Sequence, residues 1–254
     1  MQPTALMLFA LVTVLALSCV GGYMGLRIYR NAQQGGGTAE LWVGRSLMLV
    51  CGAGYIPVVI AQVIPQPELQ FLLLAIGIGS AHVGVACIFI FTRLVFRPDV
   101  PWLRWAVRAL IAAMMIVWPM GLLLVNWPLR ASPEEAVIAG LPYAVASNVL
   151  IGIGMAWSAV EAIKQWSLSR KRARIGLADP LVANRMLLWG VFTGGSVVTS
   201  VVSAIDGLLG FDPGQHAPSI VIVSAIGIVS TVSLWLAFLP PQVWIRRVRG
   251  AVSA

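Results

Sequence analysis

Residues 68–97 read ELQFLLLAIGIGSAHVGVACIFIFTRLVFR. From residue 69 to residue 92 there is no Asp, Glu, Lys or Arg, and His82 is the one basic group. A helix needs about 20 apolar residues to cross a hydrocarbon core of roughly 30 Å. This stretch is long enough, and its composition fits no aqueous surface. The same pattern recurs on both sides of it. The sequence predicts seven membrane-spanning helices, at about 4–28, 40–64, 69–96, 102–126, 137–166, 179–208 and 217–239.

Composition agrees. Of the 254 residues, 59% are hydrophobic and 10% charged, against about 25% charged in a soluble domain. The apolar stretches repeat along the whole chain, which implies one polytopic domain over 1–254. Residues 15–19, Leu-Ala-Leu-Ser-Cys, resemble a lipoprotein cleavage site, but nothing basic precedes the apolar run. The first segment is therefore read as a retained span. Cys19, Cys51 and Cys87 all lie in apolar segments, where small buried hydrophobes without disulfides are expected.

Turn and cap chemistry separates the spans. Gly35-Gly36-Gly37 follows the first, and Pro65-Gln66-Pro67 parts the second from the third. Ser132-Pro133-Glu134-Glu135 supplies an N-cap, a proline at N1 and first-turn acids before span five. Asp179-Pro180 opens span six, and Pro218 opens span seven.

The net charge of +8 is distributed by side. Arg27, Arg30 and Arg45 flank the first connection, and Arg93, Arg97, Arg104 and Arg108 flank the third. Lys164, Arg170, Lys171, Arg172, Arg174 and Arg185 flank the fifth, and Arg246, Arg247 and Arg249 lie in the tail. Of the lysines and arginines, only Arg130 falls on the other side. Basic residues stay in the cytoplasm. This places the N-terminus outside and the C-terminus inside a cell membrane, and it requires an odd number of crossings. Trp42, Trp102, Trp105, Trp166 and Trp244 fall near the inner edge and Trp127 near the outer. The charge thus points to a bilayer with anionic headgroups as partner, not to nucleic acid. Arg170, Lys171, Arg172 and Arg174 form the densest cluster, either a topology anchor at the headgroups or a docking site for a soluble partner.

An internal repeat relates the two ends of the chain. Span three ends with Phe96, Pro98, Trp102 and Arg104, and span seven with Phe238, Pro240, Trp244 and Arg246, at identical spacing. Near the start of span two stand Glu40, Arg45 and Leu47-Met48-Leu49. Near the start of span six stand Asp179, Arg185 and Met186-Leu187-Leu188. This predicts parallel halves at about 4–96 and 137–246, joined by the helix 102–126. Such a 3+1+3 architecture resembles that of the SWEET sugar facilitators and the relation between the halves of microbial opsins. The resemblance covers span count, direction and repeat. It implies a transporter fold in the first case. An opsin would need a buried lysine in span seven, and the only lysines are Lys164 and Lys171. A receptor reading finds no acid before Arg93 in Phe91-Thr92-Arg93 and no Asn-Pro-x-x-Tyr run.

Polar groups at depth are the candidate sites, because burying them in lipid is costly. His82 is either a proton relay or ligand contact, or a neutral imidazole tying two helices. Asn148 is either glue among Ala144, Gly152 and Ala156 or a solute contact. Thr193, Ser196, Ser200 and Ser203 share one face of span six, with Asp206 at its outer end. That stripe either lines a solute route or packs with its hydroxyls bonded to the helix itself. Arg45, Glu161 and Arg185 should share a depth near the cytoplasm and form an ion-pair network, as gate or brace. Gly21 and Gly25 form a G-x-x-x-G pair suited to helix contact.

No metal-ligand cluster, phosphate loop or nucleophile motif is present in the sequence. Neither cofactor nor metal is expected, and the chain is read as a non-enzyme. The function expected is a carrier or facilitator of a small solute between the two halves. The alternative is a non-transporting sensor or scaffold that recruits a cytoplasmic partner through its basic loops. Assembly into a homo-oligomer is left open.

Overall fold

The computed structural model describes residues 5–61, 63–125, 133–211 and 216–250, the side chains of 124–125 and 133–138 excepted. Every regular element among them is helical. Seven helices are long and apolar enough to cross a membrane. Span one is α1 (Ala5–Gln33). Span two runs as α2 (Thr38–Leu47), a π-helical turn (Met48–Gly54) and α3 (Tyr55–Ala61). Spans three to seven are α4 (Pro67–Phe96), α5 (Pro101–Val125), α6 (Pro133–Arg174), α7 (Pro180–Leu208) and α8 (Ala217–Phe238). A short α9 (Gln242–Gly250) follows. Trp127, Arg130, Ser132 and Asp212 lie outside the described residues, as do the side chains of Glu134 and Glu135.

Proline sets most helix starts. Pro67 and Pro180 occupy the first turn, where a missing N–H costs no hydrogen bond. Asp179 caps α7, its Oδ1 accepting the Leu181 N–H at 2.9 Å. Proline also ends two spans. Arg97 precedes Pro98 and leaves the helix at φ −145°, ψ 51°. Leu239 precedes Pro240 and leaves at φ −131°, ψ 51°. A residue before proline is pushed out of the α region. The ends of spans three and seven therefore turn in nearly the same way, at the positions that the sequence motif pairs.

The π turn in span two has a local cause. Pro57 has no N–H, and its ring crowds the carbonyl of Ala53. The helix widens ahead of it, and the Tyr55 N–H bonds Val50, five residues back. Two glycines then let neighbouring helices close on this segment. A Cβ on Gly25 of α1 would lie 2.5 Å from the Met48 nitrogen, and one on Gly84 of α4 would lie 2.9 Å from the Val50 nitrogen. Span two is thus held between spans one and three at backbone distance.

The spans form a closed ring. Each packs on its chain neighbours, α8 returns to α1, and α4 also meets α6. The central residues include Met24, Leu47, Ile88, Phe89, Met114 and Leu234, all essentially inaccessible. Two helices end in the same motif. Gly176 (φ +75°) follows α6, with the Leu177 N–H bonded to Arg172 at 2.9 Å. Gly210 (φ +72°) follows α7, with the Phe211 N–H bonded to Asp206 at 2.9 Å. Both are glycine-closed helix ends. The 42 residues of α6 reach about 63 Å at 1.5 Å per residue, about twice the hydrocarbon thickness. Cys51 and Cys87 are buried, but Cys19 is exposed on the outer face of α1. It faces outward because Ser18, Gly21 and Gly25 take the inward face of that helix.

Candidate functional site

At the basic end of the ring, a cavity of about 560 Å³ opens between spans one, two and three on one side and spans six and seven on the other. Arg27, Asn31, Glu40 and Arg185 stand around it. The rest of its wall is largely apolar and includes Phe91, Phe96, Trp189 and Phe238. These rings form one layer. Trp189 meets Phe91 edge-on at 5.3 Å and Phe238 edge-on at 6.3 Å between centroids, and it lies 5.4 Å from Phe192. Edge-on pairs of this kind add roughly 0.5–1.5 kcal/mol beyond burial. The indole N–H of Trp189 donates to Ser158 of α6 at 3.2 Å, and the Thr92 hydroxyl of α4 donates to the same oxygen at 3.1 Å. Trp189 is therefore fixed from three helices.

The stripe on span six begins one turn beyond this layer. Thr193 donates to the Trp189 carbonyl at 2.9 Å and Ser196 to that of Phe192 at 3.1 Å. Thr193 and Ser200 are buried, and Ser196 and Ser203 are half-buried. Ser200 faces Gly152 of α6: a Cβ on that glycine would lie 3.5 Å from the Ser200 Cβ. Asp206 closes the stripe at the opposite end. Its Oδ1 accepts from His216 Nδ1 at 2.8 Å, and Ser219 Oγ lies 2.9 Å from the same nitrogen. Phe211 stacks on the His216 ring at 4.4 Å. Asp206 Oδ2 is buried with no hydrogen-bond partner among the described residues.

His82 and Asn148 are engaged elsewhere. In the neutral ring, His82 Nδ1–H donates to the Ile78 carbonyl at 2.8 Å, and the Ser147 hydroxyl of α6 donates into Nε2 at 2.6 Å. Asn148 Nδ2 donates to the Ala144 carbonyl of its own helix at 2.9 Å. No hydrogen bond among the described residues joins either of them to the stripe on span six.

The expected trio of Arg45, Glu161 and Arg185 is not brought together. Glu161, nearly buried, takes Arg97 instead, at 3.2 Å from Nε and 3.1 Å from Nη2, with Lys164 at 3.9 Å. Arg97 reaches it because the backbone turns out of the helix before Pro98. Arg45 sits over the rings of Tyr29 and Trp42, at 5.8 and 5.4 Å, because α2 packs against α1. Arg185 is exposed and lines the cavity. The cluster Arg170, Lys171, Arg172 and Arg174 is exposed at the end of α6, with Arg170 over the Trp166 ring at 5.7 Å.

Several residues of the cavity were missed from sequence. Trp189 carried a usable signal: unlike the tryptophans at the span boundaries, it lies well inside its apolar segment. Arg27 carried none, since a guanidinium facing headgroups and one lining a cavity read alike. No family model matches the chain, no curated protein matches it in sequence, and no solved structure matches its fold.

Proposed function

We propose that the chain is a carrier or facilitator of a small solute in a cell membrane, with its N-terminus outside and its C-terminus in the cytoplasm. The observation that carries this reading is the cavity between spans one to three and spans six and seven. It lies at the basic end, with the packed Phe91, Trp189 and Phe238 rings in its lining. A cavity at one end, with a packed layer in its lining, suits alternating access, in which two halves rock about a central site. The hydroxyl face from Thr193 to Asp206 continues from that layer toward the other end and is read as the remainder of the route. The matching exits of spans three and seven support a parallel repeat of the halves. His82 is assigned to a tie between helices and Asn148 to a bond within its own helix, rather than to the route. The chain is read as a non-enzyme.

Uptake in proteoliposomes is the direct test, with Trp189→Ala as the informative variant. The carrier reading expects saturable, counterflow-competent flux of at least one solute, altered by that substitution. No flux across a panel of sugars, amino acids and organic acids would count decisively against it.

A second reading has its own support. Arg170, Lys171, Arg172 and Arg174 sit at the end of a continuous helix, not on a floppy loop. A rigid basic platform suits recruitment of an acidic cytoplasmic partner. Neutralising the four residues should then abolish co-purification of that partner and leave flux intact.

A further inference from the structure

Two exposed arginines line the cavity at the basic end, and neither has an acidic partner among the described residues. Arg27 comes from the last turns of α1 and Arg185 from the second turn of α7. Glu40 lines the same space, but its carboxylate folds back beside Gly37 at the start of its own helix. Three other arginines at this end are occupied, Arg97 by Glu161, Arg249 by Asp179, and Arg45 by two aromatic rings; what sets Arg27 and Arg185 apart is their place in the cavity lining. A basic end alone explains arginines at headgroup depth. It does not explain why two of them line one cavity that has an aromatic bed.

The polarity of the lining runs in one direction. The mouth offers the forked donors of Arg27 and Arg185 and the amide of Asn31. The bed offers Phe91, Trp189 and Phe238, and the one N–H there is already spent on Ser158. A planar guanidinium fork matches carboxylate and phosphate oxygens. The aromatic bed rewards an apolar body. The volume lies within the roughly 300–1,000 Å³ usual for small-molecule sites.

We infer that this cavity binds an amphipathic organic anion. Its carboxylate, phosphate or sulfonate lies on Arg27 and Arg185, and its apolar body on the Phe91–Trp189–Phe238 layer. The inference rests on the carrier reading for the cavity's role, not for its occupancy. A soluble metabolite anion and an anionic lipid entering between helices share this chemistry.

The test uses the full chain in phosphatidylcholine nanodiscs, with 2-naphthoate as probe and 2-naphthamide as its neutral counterpart, read by calorimetry. Saturable naphthoate binding is expected, with the amide at least tenfold weaker. R27Q and R185Q should each weaken naphthoate binding by about tenfold, the scale of one charge-assisted contact. R108Q, over the Trp105 ring and outside the cavity, should not. Matched thermal unfolding of the variants excludes a folding defect, and R185K should recover part of the loss. Equal affinity for acid and amide, or affinity indifferent to R27Q and R185Q, overturns the inference. Phosphatidylglycerol is then added to the discs. Competition lost in R27Q and R185Q assigns a lipid occupant, and no competition assigns a soluble anion; either supports the class. Naphthoate binding without any flux would remove the carrier reading alone. Flux of a neutral solute without naphthoate binding would remove this inference alone.

Discussion

Trp189 donates its indole N–H to the hydroxyl of Ser158 at 3.2 Å, across the contact between spans six and five. Ser158 is fully buried and also accepts from Thr92. Ser158→Ala strips both donors of their acceptor. Thr92 can turn to a carbonyl of its own helix, but the indole N–H is left unmet, at a cost of about 1–2 kcal/mol. The melting temperature in detergent should fall by about 2–8 °C. An unchanged midpoint would show that the indole is not held by this bond.

The tie between His82 and Ser147 joins spans three and five. Polar contacts between membrane helices average about 0.6 kcal/mol, with a maximum near 1.7. A double-mutant cycle with His82→Ala and Ser147→Ala should return a coupling within that range. Additive effects would show that the two side chains do not meet.

Backbone contact at the π turn makes a sharp contrast between two glycines. Gly25→Ala puts a methyl 2.5 Å from the Met48 nitrogen, whereas Gly52 has nothing within 4 Å of its added carbon. The first should cost about 1–3 kcal/mol, the scale of overpacking. The second should be neutral or slightly stabilising, because alanine is the better helix former. Unfolding of the two variants in the same detergent checks this. Equal stability would mean that spans one and two are not packed this closely.

The partner of Glu161 can be identified by comparing arginines. Arg97→Gln removes two charge-assisted bonds and leaves only Lys164 at 3.9 Å. With Arg97 partly exposed, the loss should be about 1–2 kcal/mol. Arg45→Gln removes only ring contacts, worth about 0.5–1 kcal/mol. A larger loss for Arg45 in chemical denaturation would restore the pairing expected from sequence.

Lipid as solvent made the spans legible. Each needs an unbroken apolar run, so their number stands in the sequence. The Asp179 cap and the Gly21–Gly25 contact face were legible for similar reasons, since each depends on a few adjacent residues. The partner of Glu161 was not. It depends on how Pro98 turns the backbone at Arg97, which a depth argument ignores. The cavity was not legible either, because helix rotation and packing decide which residues line it. The π turn had a local cause in Pro57, yet proline inside a membrane helix is tolerated in several ways. Its presence therefore did not specify the wider turn.

A membrane that stores energy as voltage tolerates no steady leak of ions. The rings of Phe91, Trp189 and Phe238 pack edge-on in the lining of the cavity, a surface that offers a hydrated ion nothing to bind. Under the carrier reading, that packed layer is what keeps the idle protein from discharging the membrane that holds it.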